Sequence, residues 1–175
     1  MFPTNFAGSI QYDDLCPPLT GCKWGSEQFC PNGGHAVDFS LKIEPNQNCA
    51  DDTGLNAICL HCSEGAETIC SSEGRWGLWH HDLGKCQGGF TAANILFEPD
   101  QKTGDDTAAN DLKLKCRDDG EWKFGKNLGG WGEWRSVGDC PEKSVICGLQ
   151  TRIQKDQKRD DDTALNGVTF LCCRI

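Results

Sequence analysis

The chain has 175 residues, among them 13 cysteines, 21 glycines and one methionine, and carries a net charge of -9. So many cysteines point to an oxidising compartment, and the acidic balance, with a pI near 4.8, argues against nucleic acid or an anionic membrane as partner, since either needs a basic face. No apolar run approaches the roughly 18 residues of a spanning helix, so membrane insertion is not expected.

Met1-Phe2-Pro3-Thr4-Asn5 lacks the basic and apolar regions of a signal peptide. The expectation is an extracellular, secreted chain from which a signal has been removed. Residues 1–23 hold a strand at Gly8-Ser9-Ile10-Gln11-Tyr12, then a Pro17-Pro18 turn flanked by Cys16 and Cys22, a pair close enough in sequence to bond locally. Trp24-Gly25 opens the first of three similar units, at about 24–70, 76–120 and 131–175. Trp76-Gly77-Leu78-Trp79 and Trp131-Gly132-Glu133-Trp134 open the other two. Tryptophans three apart face different ways, which predicts one ring capping the core and one at the surface.

Each unit contains an acidic phrase: Asp51-Asp52-Thr53-Gly54-Leu55-Asn56, Asp105-Asp106-Thr107-Ala108-Ala109-Asn110 and Asp161-Asp162-Thr163-Ala164-Leu165-Asn166. The phrases begin 54 and 56 residues apart, and each begins 11 residues before a cysteine, Cys62, Cys116 or Cys172. Another cysteine, Cys30, Cys86 or Cys140, stands 21, 19 or 21 residues before it. Such self-similarity means one supersecondary unit used three times around a core that no unit can bury alone. Units of about 55 residues bury too little surface for comfort, so residues 1–175 are read as one domain, with 1–23 supplying a strand that closes it.

Alternation precedes each phrase, at Val37, Phe39, Leu41 and Ile43, at Thr91, Ala93, Ile95 and Phe97, and at Cys147, Leu149, Thr151 and Ile153. It resumes afterwards at Ile58, Leu60 and Cys62, at Leu112, Leu114 and Cys116, and at Val168, Phe170 and Cys172. Period 2 marks half-buried strands. Glu44-Pro45 and Glu98-Pro99 end two of them. Helical periodicity is lacking, so the fold class is all-β.

Ser63-Glu64-Gly65-Ala66-Glu67 reads as a hairpin connection into Thr68-Ile69-Cys70, which sets Cys59 opposite Cys70. Arg117-Asp118-Asp119-Gly120 connects in the same way after Cys116. The simplest disulfide scheme ties the first strand of each unit to its last: Cys30 to Cys62, Cys86 to Cys116, and Cys140 or Cys147 to Cys172 or Cys173. Thirteen cysteines leave one over, and Cys49, in a loop beside Asp51, is the candidate.

Three acidic phrases invite a Ca²⁺ or acid/base reading. Asp, Thr and Asn are equally turn residues that accept backbone N–H bonds, and repetition at equivalent positions favours the turn, because a catalytic site needs unlike groups converging once. Cys59 and Cys62, three apart on a strand, face opposite sides and cannot chelate together. His80-His81 reads as a surface pair. With no nucleophile elbow, phosphate loop or metal-binding helix, no metal or other cofactor is expected, and no enzymatic activity follows from the residues. Sugar binding suits them better: Trp79 and Trp134 offer faces for stacking, and Asp52, Asp106, Asp162, Asn56, Asn110 and Asn166 offer hydrogen bonds to hydroxyls.

Trp24-Gly-Ser-Glu-Gln-Phe-Cys30, the three acidic phrases, Cys147-Gly-Leu-Gln-Thr151 and Phe170-Leu-Cys-Cys173 together resemble the vitelline membrane outer layer protein I family, over about Ile10 to Arg174. The resemblance implies a β-prism, three Greek-key sheets about a pseudo-threefold axis, closed with help from the N-terminal strand. It implies an extracellular protein of the egg's vitelline membrane or other secretions, and a chito-oligosaccharide transfer activity attributed to the family. Cys16, Cys22, Cys49, Cys59 and Cys70 depart from the family's usual eight cysteines. The expected role is a structural or barrier component of an extracellular coat, with binding of N-acetylglucosamine-type oligosaccharides as the alternative. Expected partners are coat proteins or glycans, or a basic protein such as lysozyme.

Overall fold

The computed structural model describes residues 1–13, 22–45, 54–98, 109–126, 132–153 and 165–175. In chain order the strands are β1 (Phe6–Asp13), β2 (Lys23–Trp24), β3 (Gln28–Phe29), β4 (Ala36–Ile43), β5 (Leu55–Cys62), β6 (Thr68–Cys70), β7 (Leu78–His80), β8 (Phe90–Phe97), β9 (Ala109–Cys116), β10 (Trp122–Phe124), β11 (Glu133–Asp139), β12 (Ser144–Ile153) and β13 (Leu165–Arg174). A 3-10 turn over Pro31–Gly33 is the helical element among the described residues.

The alternating runs found in the sequence are the central hairpins of three antiparallel sheets. Sheet B runs β7-β4-β5-β6 and sheet C runs β11-β8-β9-β10. In each, three consecutive strands are joined as hairpins and the fourth returns beside the first, which is the Greek-key order. Sheet A has the same order, assembled from both ends of the chain. Its β12 and β13 are flanked by β1 beyond β13 and by β2 and β3 beyond β12. The N-terminal segment thus supplies the third and fourth strands of that order.

Sheet membership differs from the unit boundaries expected from the sequence. Trp76-Gly77-Leu78-Trp79 does not open a new sheet; Trp79 pairs with Lys42 and completes sheet B. Trp134 likewise pairs with Leu96 and completes sheet C, and Trp24 pairs with Arg152 in sheet A. Neither Trp76 nor Trp79 caps the core, as one of them was expected to. Trp76 is exposed beneath the Arg75 guanidinium, and Trp79 lies half-buried on the outer face of its sheet.

A glycine explains the Trp-Gly pairs. Gly77 and Gly132 have φ of +99° and +115°, and a Cβ on either would come within 2.6 Å of the backbone of Ile43 or Phe97. These glycines let the fourth strand start hard against the end of the first. Replacing Gly132 by alanine is expected to cost about 1–3 kcal/mol for the backbone conformation alone, read as a lowered denaturation midpoint. An unchanged midpoint would mean that the strand start relaxes freely.

Every central hairpin carries two β-bulges at matched places. One inserts Val37, Thr91 or Cys147 near the start of the first strand. The other inserts Asn56, Asn110 or Asn166 near the start of the second. Bulges bend a strand and increase its twist, which lets flat ladders curl about a shared interior. That interior is one cluster holding Phe39, Leu41 and Leu60 of sheet B, Phe90, Ile95 and Leu114 of sheet C, and Ile146, Leu149 and Phe170 of sheet A.

Disulfides close the ring. Cys30, which follows β3 of sheet A, bonds Cys62 of sheet B. Cys86, which follows β7 of sheet B, bonds Cys116 of sheet C. Cys140, which follows β11 of sheet C, bonds Cys172 of sheet A. The pairs are those the simplest scheme named, with Cys140 taking Cys172, and each joins one sheet to the next. The amides of the same three cysteines, Cys30, Cys86 and Cys140, donate to the carbonyls of the bulge residues Cys147, Val37 and Thr91, each at 2.8 Å. Two further bridges lie within sheets: Cys59–Cys70 spans β5 and β6, and Cys147–Cys173 spans β12 and β13. Cys22 is bonded to a partner outside the described residues, where Cys16 and Cys49 also lie.

Candidate functional site

Since the inner faces are filled by apolar side chains, polar chemistry is confined to the outer faces and the connections. Asp52, Asp106 and Asp162 lie outside the described residues. Asn56, Asn110 and Asn166 are 0%, 2% and 7% exposed. Buried at the bulges, they offer a ligand little or no surface, which argues against them as sugar contacts. Asn56 Nδ2 donates instead to the Gly54 carbonyl at 3.0 Å, and the Gly74 amide donates to the Asn56 carbonyl at 2.8 Å. An extra residue in a bulge leaves ladder groups unpaired, and a short amide side chain can satisfy them. Trp79 and Trp134 stand on different sheets and do not form one site.

The outer face of sheet B is knit by hydrogen bonds. Ser40 Oγ lies 2.8 Å from His61 Nε2 and 3.1 Å from His81 Nδ1, and His61 Nδ1 lies 2.9 Å from Thr68 Oγ1. The His81 ring stacks on Trp79 at 6.1 Å. A serine between two imidazoles suggests nucleophilic catalysis, but Ser40 is fully buried under them. No substrate carbonyl can reach a hydroxyl with no exposed surface, so the cluster fastens β4, β5, β6 and the residue that follows β7 together.

Sheet C is different. Lys113 on β9 points outward, since Leu112 and Leu114 on either side are buried in the core. Pairing sets Phe124 directly opposite Lys113, and Trp122 opposite Lys115. From the other edge, Trp134 reaches over the same place. The Lys113 ammonium lies 4.5 Å from the Trp134 ring centroid, 5.0 Å from Trp122 and 5.2 Å from Phe124. Phe124 and Trp134 meet edge to face at 5.9 Å. Phe124 is 51% exposed and the other three are half-buried. Nearby, Lys123 donates to Asp119 at 2.8 Å, which with the Glu121 amide holds the Asp119 carboxyl below the usual carboxylate range.

Of this constellation the sequence reading found Trp134 alone. Lys113, Trp122 and Phe124 were missed, although Trp122-Lys123-Phe124 alternates and Lys113 and Lys115 share the outward register of β9. The missing information is the pairing of four strands.

Three Greek-key sheets packed around one core make a β-prism. Several solved structures of similar fold are lectins. They include a prostate-specific WGA16 glycoprotein lectin (TM-score 0.59, 11% identity, 95% of this chain and 99% of that one) and Calsepa lectin in complex with bisected glycan (TM-score 0.58, 9% identity, 99% and 100%). Malaysian banana lectin follows the same fold (TM-score 0.53, 11% identity, 97% and 99%). Within that architecture the chain belongs to the vitelline membrane outer layer protein I family, whose model matches residues 19–175. It is 40% identical over 179 residues to a Homo sapiens vitelline membrane outer layer protein 1 homolog, covering 95% of this chain and 86% of the relative. The Mus musculus homolog is 39% identical over 175 residues, covering 93% and 85%.

Proposed function

We propose that the protein is a secreted structural component of an extracellular coat, such as the outer layer of an egg envelope or a mucous layer. The observation that carries this reading is the ring of disulfides joining each sheet to the next, which suits a domain that must persist where no chaperone or reductant maintains it. An acidic surface fits assembly with basic coat proteins such as lysozyme, an attraction that salt would screen. The test is fractionation of the coat with an antibody to the chain. Retention in the matrix washed at low ionic strength, with release as salt is raised, is expected, and recovery of the whole pool in the soluble fraction before salt is added would overturn the reading.

A second reading, binding of N-acetylglucosamine-type oligosaccharides, is favoured by the aromatic platform on sheet C, since ring faces stack on the apolar faces of sugars. It is also in keeping with the lectin neighbours. A glycan array that includes chito-oligosaccharides should show saturable binding that Trp134→Ala abolishes. An array blank for the folded, oxidised protein would leave the coat role alone standing.

A further inference from the structure

The three sheets share one plan, so a position where they disagree marks a demand that the fold does not make. One such position is the cross-strand slot on the outer face between the second and third strands. In sheet B it holds the Cys59–Cys70 disulfide. In sheet A it holds Thr169 donating to Gln11 at 3.1 Å. In sheet C it holds Lys113 against Phe124. The first two are ordinary fastenings between strands. The third spends a lysine and three aromatic rings from β9, β10 and β11 where a disulfide or one hydrogen bond serves elsewhere.

The tryptophans of the fourth strands disagree in the same sense. Trp24 lies by Arg152, whose guanidinium is already paired with Asp13 at 2.6 Å. Trp79 is covered by His81. Trp134 faces Lys113, which has no carboxylate partner among the described residues. An ammonium offers three N–H donors and no acceptor. Flanked by rings that exclude water from part of its surroundings, it gains more from a counter-charge than a fully hydrated lysine would.

We propose that Trp122, Phe124, Trp134 and Lys113 form a binding platform for an acidic saccharide, its ring stacked on the exposed aromatic faces and its carboxylate paired with Lys113. The proposal rests on the saccharide-binding reading and adds the substrate class. A neutral sugar can use the rings, but its hydroxyls meet a charged donor whose preferred partner is an anion.

The test is calorimetric titration of the oxidised full chain with two acidic probes, 3′-sialyllactose and tetragalacturonate, each beside its neutral counterpart, lactose and galactotetraose. The expected result is saturable binding of at least one acidic probe, with the neutral counterpart weaker by about tenfold or more, the size of a charge-assisted hydrogen bond. Which acidic probe binds distinguishes a sialylated from a uronate source. Lys113→Met should erase the preference, Lys113→Arg should keep it, and Trp134→Ala should abolish binding, with near-ultraviolet circular dichroism verifying that each variant is folded. Equal affinity for acidic and neutral probes in the unaltered protein overturns the proposal while leaving the saccharide-binding reading. Absence of binding to all four probes and to chito-oligosaccharides overturns both.

Discussion

Replacing Cys86 and Cys116 together by alanine is expected to destabilise the protein by about 3.6 kcal/mol, the loop-closure value for a bridge spanning about 30 residues. The three staples span nearly equal stretches, with sequence separations of 32, 30 and 32. The Cys30/Cys62 and Cys140/Cys172 double variants should therefore lose similar amounts. The Cys59–Cys70 bridge has a separation of 11, and its loss should cost about 2.8 kcal/mol on the same scale. Guanidinium midpoints of the four double variants would give the ranking. A Cys59/Cys70 variant at least as destabilised as the staple variants would refute the entropic account.

The ring adds a consequence that single bridges lack. With one staple removed, the three sheets remain covalently connected in a row through the other two. With all three removed, the summed loss of about 11 kcal/mol is comparable to the whole stability of an ordinary domain, about 5–15 kcal/mol. The triple-staple variant should be unfolded at 37 °C even with Cys59–Cys70 and Cys147–Cys173 intact. The same reasoning is in keeping with an oxidising compartment, because reduction would remove all the bridges at once.

Much of the fold was legible because its strands are half-buried and alternate, and because equal spacing repeated the pattern three times. The cysteine partners Cys30–Cys62 and Cys86–Cys116 could be named from spacing, but their meaning could not. Spacing shows which residues recur together, whereas membership of a sheet depends on a Greek-key return that pairs Trp79 with Lys42, 37 positions earlier in the chain. The bulges escaped for a related reason. Val37 continues the alternation of β4 in sequence, so nothing local distinguishes it from a paired residue, and Asn56 reads as the last letter of a turn when it is the second residue of a strand. The platform on sheet C depends on register between strands, and one residue of slip would turn Lys113 into the core. Trp134 could be suspected from its exposed motif, whereas its companions become visible when four strands are laid side by side.

Phe39→Ala should cost about 3–5 kcal/mol, and the reason lies in what its ring touches. Phe39 of β4 and Phe90 of β8 are both fully buried, and their rings meet edge to face across the junction of sheets B and C, at 6.0 Å and 85°. Truncating either leaves a cavity in a close-packed interior. Truncating both tests whether the two sheets stabilise each other. If the core is shared, the double variant should be less destabilised than the sum of the singles, by a coupling of about 0.5–1.5 kcal/mol typical of aromatic pairs. Denaturant midpoints of wild type, Phe39→Ala, Phe90→Ala and the double variant complete the cycle. A coupling of zero would mean that each sheet buries its inner face independently, and the repeats would then be three small domains held together by disulfides. A positive coupling makes the prism one cooperative unit, in which the staples restrict the unfolded chain while the common core makes the three sheets fold together.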